Sequence, residues 1–260
     1  MQQQPLQFNS RSDLIKHVAS LCQYQNDNIV SSIQGGHAHA LTRLHATSLA
    51  LYAKTRNHLD GKVTMLSPYI RHGAVSLEAV RQYALTQYDA STVEKFLQEL
   101  TWRHFWQAHY AQLGDQIWED IEPYKTGWSL ENYSDELPED IVHARTGVAV
   151  IDYFSHQLTS NGYLHNHARM YLASYIVHWR KIRWQAGAQG YLTHLLDGDI
   201  ASNNLSWQWV ASTFSQRPYI FNLDNVRKYA TDDIDTSPTT NSVIDASYDI
   251  LQRRLFPHNA

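Results

Sequence analysis

Apolar side chains make up 43% of the 260 residues, aromatics 12% and charged groups 18%, a composition that fits one large globular domain with a sizeable core. The net charge of −4 gives no global cationic field, which argues against a simple basic nucleic-acid module and leaves room only for a local basic rim. A single cysteine, Cys22, excludes an internal disulfide framework and Cys-rich metal sites, and the lack of an apolar leader or membrane-length apolar run predicts a cytoplasmic protein with no membrane partner.

Met1–Phe8 is Gln-rich and reads as loose. Ser12–Tyr24 has helical periodicity, Gly35-Gly36 breaks it, and Ala38–Arg56 resumes it through Leu41, Leu44, Leu49 and Tyr52. Gly61–Gly73 (GKVTMLSPYIRHG) is a connector whose Pro68 either follows an extended residue or opens a helix. Ser76 is placed to cap Leu77–Tyr88, although Ala79 stands where an acid would complete a capping box. Ser91–Leu113 is the clearest long helix, with Ser91 as its cap and Glu94 as its box partner. Helical spacing puts Glu99, Trp102, Arg103 and Trp106 on one face, with Phe96, Leu100 and Leu113 on the other.

Glu119–Glu139 reads as a long loop, followed by helices at Val148–Leu158, Asn166–Arg183 and Gly190–Leu196. Asp197–Asn204 reads as an acidic, amide-rich loop running into Trp207 and Trp209. Trp209–Tyr229 is irregular, Asp232–Asn241 is a polar tract, and Val243–Leu255 is a final amphipathic helix. With no repeat and no alternating strand–helix rhythm, the expectation is a single all-α domain.

Buried carboxylates and amides cost free energy unless paired, so the Asp197, Asp199, Asn203, Asn204 group is either a self-capped turn or the lining of something polar. An amide that donates and accepts suits the edge of a ring system, and Arg169 is a natural partner for Asp197. No third oxygen ligand accompanies the two aspartates, which weakens a metal or hydrolase reading. His37-x-His39 and His165-x-His167 lack the H-E-x-x-H frame, so no metal site is expected. Walker, dinucleotide GxGxxG and GxSxG motifs are missing too. Thr64 and Ser67 beside a helix start could hold a phosphate, but a capped helix needs the same residues, so this signal alone is weak. Trp184, Trp207 and Trp209 fit plain core, an electron relay or a base-stacking wall, and the residues alone leave all three open.

Taken together, HNHARMYLAS (165–174), DGDIASNNLSWQW (197–209), ELTWRHF (99–105), TMLSPYIRHG (64–73) and RTGVAVIDYFSHQL (145–158) resemble the C-terminal helical FAD-binding domain of the photolyase/cryptochrome family. The similarity runs from about Gly35 to Tyr229. It divides the chain into a lead-in (1–34), an FAD-binding helical domain (35–230) and a polar tract with a last helix (231–260). The resemblance implies FAD bent into a U in a central cavity. Tyr52 and Arg56 would face its phosphate and adenosine side, while Thr64, Leu66 and Ser67 would wrap the pyrophosphate. Arg103 and Asp199 would line the pocket, Arg169 and Asp197 would form an ion pair across the isoalloxazine, and Asn203 would meet flavin N5. Trp207 would be the flavin-proximal electron donor and Trp184 the next member of the chain.

For a cyclobutane pyrimidine dimer, Glu99, Trp102, Asn166, Met170 and Trp209 match the pocket, with Glu99 bonding the bases. The implied chemistry is light-driven electron transfer from reduced FAD to a flipped-out dimer in single-stranded or duplex DNA. Three departures accompany the resemblance. The preceding α/β antenna domain has no counterpart, so a separate antenna or α/β partner protein is one expectation. His104, His167 and Met65 replace an acid and two arginines, and losing two permanent cations weakens phosphate contacts. The distal tryptophan has no aligned match, leaving Trp128 or Tyr133 to substitute. A DNA-repair lyase, a blue-light sensor or flavin redox protein, and a partner-dependent half enzyme all remain open. Arg180, Lys181, Arg183, Arg217, Arg227 and Lys228 are the candidate DNA-facing rim, or simply a solvated face.

Overall fold

The turn joining two helices, Trp184–His194 and Ile200–Ala211, is the point about which the other elements are arranged. In the computed structural model, which describes residues 5, 7–21 and 30–259, there are thirteen α-helices among the described residues. They are α1 (Arg11–Leu21), α2 (His37–Ala46), α3 (Tyr52–Thr55), α4 (Ser67–Arg71), α5 (Leu77–Gln87), α6 (Ala90–Leu113) and α7 (Glu139–Val142). Then follow α8 (Ala149–Asn161), α9 (Asn166–Ser174), α10 (Trp184–His194), α11 (Ile200–Ala211), α12 (Leu223–Tyr229) and α13 (Tyr248–Leu255). Extended pairing among the described residues is limited to one parallel bridge between Ser134 and Ile182, so the all-α expectation holds. No described helix is long and apolar enough to cross a membrane.

Several boundaries differ from the periodicity. The expected Ala38–Arg56 helix breaks where Thr47 and Ser48 turn extended, and the Thr47 hydroxyl donates back to Arg43 O at 3.0 Å. Hydroxyl side chains next to the backbone offer it an alternative partner, which is why this pair ends α2. Helix α6 starts one residue early, after Asp89, without a side-chain cap; Glu94 instead accepts from Gln98. The expected Ser91–Glu94 capping box is therefore absent. Ser76 does cap α5, accepting the Ala79 N–H at 3.0 Å. Of the helix expected over Ser12–Tyr24, the part beyond Leu21 lies outside the described residues, as does Cys22.

Helix α9 does not run on to Arg183. It widens into a π turn over Tyr175–Trp179 and stops at Arg180. Helix α10 begins at Trp184, six residues earlier than expected, and contains both Gly187 and Gly190. The last helix starts only at Tyr248, where Ser247 accepts from the Ile250 N–H. Within the stretch expected to be irregular, Asn222 caps α12 by accepting the Asn225 N–H at 2.9 Å.

Two apolar cores flank the centre. The larger joins α8, α9, the π turn, α10 and part of α11 through Phe154, Tyr171, Ile176, Trp184 and Trp207. The smaller joins α2, α4, α5 and the first half of α6 through Leu44, Leu66, Tyr69, Val80 and Phe96. Each fully buried large side chain contributes roughly 1.5–3 kcal/mol. Polar ties bridge the two: Arg71 Nε donates to Gly198 O at 2.6 Å, and His72 Nε2 meets Leu196 O at 2.8 Å. These hold the end of α4 against the turn between α10 and α11.

Candidate functional site

Helix α6 supplies one wall of a central cavity of about 700 Å³, and the i, i+3, i+4, i+7 face expected from the sequence is the face that lines it. Trp102 and Trp106 stack at 5.1 Å between ring centroids, and Trp102 is 48% exposed at the mouth. Glu99 sits between two cations, with Lys95 Nζ at 2.9 Å and Arg56 Nη1 at 3.4 Å. Lys95, one turn before Glu99 on the same face, was missed by the sequence reading although its i, i+4 spacing was available.

The opposite wall comes from α9 and the α10–α11 turn. Arg169 donates to Asp197 Oδ2 at 2.8 Å and to Leu164 O at 2.8 Å, and Tyr191 in turn donates to Arg169 O. Burial opposes the Arg169 charge, but Asp197 outweighs it and holds the guanidinium above its ordinary pKa. Asp197 is buried, and its second oxygen, Oδ1, has no partner.

The Asp197–Asn204 stretch, expected as a loop, is a turn running into the helix Ile200–Ala211. Asp199 is the N-cap of α11 and accepts the Ser202 N–H at 3.0 Å. The cap signal, Asp-x-x-Ser, was present in the sequence but masked by the run of amides. Gln107 of α6 also donates to both Asp199 oxygens at 2.8 Å, tying the two walls together, while Arg103 stands at 3.9 Å. Burial works against ionising Asp199, but the Ser202 hydrogen bonds, Arg103 and Gln107 outweigh it and lower its pKa.

Along α11, Asn203, Ser206, Trp207, Trp209 and Val210 line the cavity. The Asn203 amide nitrogen is committed to Ala188 O and Asn204 Oδ1, so its capacity left over is that of an acceptor oxygen. Trp207 meets Tyr191 edge to face at 4.8 Å, and its Nε1–H has no partner. Its ring lies on the bare backbone of α10: a Cβ at Gly187 would stand 2.2 Å from Trp207. This close approach explains the glycine inside a helix.

A smaller cavity of about 290 Å³ adjoins the first and shares Arg56, Ser67, Glu99, Arg103, Arg169 and Asp197 with it. Tyr52, Thr64, Met65, Leu66, Tyr163 and His165 are among the residues that line it alone. Burial, and then Glu99, raise the Tyr52 pKa. Met65 adopts a left-handed backbone (φ 51°), and its sulfur receives Arg43 Nη1 at 3.1 Å.

All the site residues expected from the sequence line one or both cavities, apart from Trp184. Tyr52, Thr64 and Leu66 lie on the smaller cavity; Asp199, Asn203, Met170, Trp207 and Trp209 lie on the larger; Asn166 and Trp102 touch both. Trp184 is fully buried, at the first position of the helix on which Trp207 rests. Its Nε1–H donates to Asp120 at 2.6 Å, and its ring lies parallel to Trp118, 6.4 Å away with 6° between planes. Trp118 is half-buried.

Trp128 does other work. Lys181 covers its face at 3.9 Å, His258 meets it edge-on, and its Nε1–H donates to Leu255 O, so it anchors the C-terminal segment. Nor does the expected basic rim border the cavity. Arg180, Arg183 and Arg227 pair with Asp140, Asp135 and Asp224 away from it. Among the described residues no group of three or more His, Cys, Asp or Glu side chains is placed to hold a metal ion.

The residues fit a flavin dinucleotide on structural grounds: joined polar and aromatic cavities, an acceptor amide, and buried polar atoms on the lining without partners. Such atoms cost about 1–3 kcal/mol each if nothing meets them. Residues 96–237 match the sequence profile of the FAD binding domain of DNA photolyase. The chain is 34% identical to a deoxyribodipyrimidine photo-lyase of Streptomyces griseus, over 64% of this chain and 36% of that protein. It is 30% identical to a rice cryptochrome DASH, over 68% of this chain and 32% of that one. Among solved structures it resembles a Synechocystis cryptochrome, with TM-score 0.66, 23% identity and 91% of this chain covering 48% of the other. A class III photolyase from Agrobacterium tumefaciens gives TM-score 0.61 at 24% identity, with 95% and 48% covered. The chain thus spans less than half the length of these relatives.

Proposed function

The chain belongs to the family of the FAD-binding domain of DNA photolyases, and on that premise we propose that it binds FAD in the joined cavities and presents it to a cyclobutane pyrimidine dimer in DNA. One observation carries the reading. Asp197 Oδ1 and Trp207 Nε1 are buried, unpartnered and on residues that line the larger cavity, an acceptor and a donor that a flavin's polar edge would satisfy.

The protein's part is to hold and orient. Arg169 and Asp197 form a rigid charged wall, Asn203 offers its carbonyl oxygen to a ring N–H, and Arg56, Thr64, Leu66 and Ser67 enclose the phosphate side. Gln107 and Asp199 hold the two walls in register, and Arg103 lines the pocket beside them. When bound and reduced, the flavin would supply the light-driven single electron that splits the dimer and would regain it once the ring has opened. The dimer would lie in the open half of the cavity, between Trp102 and Trp209, over Met170 and Asn166. There Glu99, fixed by Lys95 and Arg56, accepts hydrogen bonds from pyrimidine N–H groups. Trp207, Trp184 and half-buried Trp118 would serve as a relay of indoles that delivers electrons inward, with the Trp118–Trp184 ring pair as its outer step. The contact of Trp118 with Trp184 favours it over Trp128 or Tyr133 as the outer member.

The test is reconstitution with FAD followed by illumination of the reduced protein with dimer-containing oligonucleotides. Flavin bands in the purified protein and light-dependent dimer loss are expected. A colourless protein that takes up no FAD defeats the reading. Bound, photoreducible FAD without repair of single-stranded or duplex substrate would favour the light-sensor alternative.

A further inference from the structure

His165, at the edge of the smaller cavity, has a hydrogen-bonding state set by the fold and a donor that nothing in the chain uses. It is the N-cap of α9, a position usually filled by Ser, Thr, Asp or Asn. The imidazole does the capping through Nδ1, which accepts the His167 backbone N–H at 3.1 Å. A ring nitrogen that accepts carries no proton, so in the neutral ring the proton must be on Nε2. Burial, then the neighbouring His167 and Arg169, push the His165 pKa down to about 4, which keeps the ring neutral near pH 7. Nε2 itself is buried and has no partner.

The ring borders the cavity that also holds Arg56, Arg169 and the hydroxyls of Thr64 and Ser67. Both arginines already face carboxylates, Arg56 toward Glu99 and Arg169 toward Asp197. Thr64 accepts the Leu66 N–H at 3.3 Å, which leaves its own hydroxyl proton to give. Cations and free hydroxyl donors around one small space suit an anionic oxygen. We infer that His165 is a ligand-binding residue whose Nε2–H donates to a phosphoryl oxygen of the bound dinucleotide. This rests on the FAD reading above. It gives the site an uncharged donor beside two arginines that already face carboxylates.

His165→Asn separates the two duties of the ring, because the Asn carbonyl can still cap α9 but cannot reach the cavity. Flavin-fluorescence titration of the wild type and the variant should show FAD binding weakened about tenfold, roughly one hydrogen bond. ADP should weaken in parallel and riboflavin should not, with the melting temperature of the unloaded chain unchanged. Unaltered FAD affinity, or a loss seen with riboflavin alone, overturns the inference. A wild type that binds no FAD overturns instead the reading on which it rests. Should the variant fail to fold, ¹⁵N spectra of the wild-type histidines decide. The proton must sit on His165 Nε2 and become protected from exchange when FAD is added; a proton on Nδ1, or unchanged exchange, refutes the assignment.

Discussion

The enclosed and the open side of the cavity, which divide both helical walls into an inner and an outer part, are built on opposite terms. On the inner wall Arg169, Asp197 and Trp207 are packed against α10 and the larger core, with Asp197 and Trp207 only 6% and 2% exposed. On the outer wall Trp102 and Trp209 are 48% and 41% exposed, and Glu99 is held by surface-facing cations. Inside, charges are weakly screened and geometry is fixed by packing, so the wall suits one permanent occupant. Outside, aromatic faces and a screened carboxylate suit a partner that comes and goes. On the proposed function, the contrast assigns the cofactor and the DNA lesion to different physics within a single cavity.

The sharpest way to break this contrast is Asp197→Ala. Removing one partner of a buried pair leaves an uncompensated charge, at a cost of about 3–5 kcal/mol, and the 22% exposure of Arg169 places the expected loss near the lower end. Urea denaturation should show it, along with loss of FAD uptake. A change in stability below about 1 kcal/mol would mean that the inner wall is not preorganised.

Acid comes next. His178, buried behind the inner wall with its Nε2–H on Val210 O, has its pKa pushed down by burial to about 4 from 6.5, and His165 is lowered to the same value. Well above pH 6.5 both are neutral in folded and unfolded chains and nothing is lost. As pH falls toward 4, the unfolded chain takes up protons that the folded one resists, and stability drops. At about pH 5 each histidine should account for roughly 2 kcal/mol. His178→Gln, which keeps a donor for Val210 O, should remove that share from the pH dependence of urea unfolding. An identical pH profile would refute the assignment.

Glu99→Gln, on the outer wall, should have the smallest effect on folding. A stability change within about 0.5 kcal/mol is expected, together with about tenfold weaker binding to dimer-containing DNA in gel-shift titrations. A large loss of stability would mean that Glu99 belongs to the framework instead.

How much of this was legible in the sequence depended on the range of the interaction. The Glu99–Trp106 face was legible because one helix and its 3.6-residue period fix it. The Arg169–Asp197 pair was legible as complementary chemistry, and the distances agree. Other features needed the third dimension. Trp118 and Trp184 lie 66 positions apart and meet only because the Gly114–Trp118 3₁₀ turn folds back against the start of α10. Gln107 reaches Asp199 across 92 positions. The start of α11 was misread for a local reason: Asp199, Ser202 and two asparagines are turn formers by propensity, and the packing of Ala201, Leu205 and Trp207 into the core overrides them. The separate starts of α2 and α3 were lost in the opposite way, because leucine spacing stayed in phase across two extended residues.

The paired Trp118 and Trp184 rings also have an optical consequence. Parallel indoles 6.4 Å apart exchange electronic excitation before either emits. A half-solvated indole emits at lower energy than one enclosed in apolar surroundings, so excitation drains outward, from Trp184 to Trp118. The light absorbed by the enclosed Trp184 therefore leaves through Trp118, a ring that a dissolved quencher can reach.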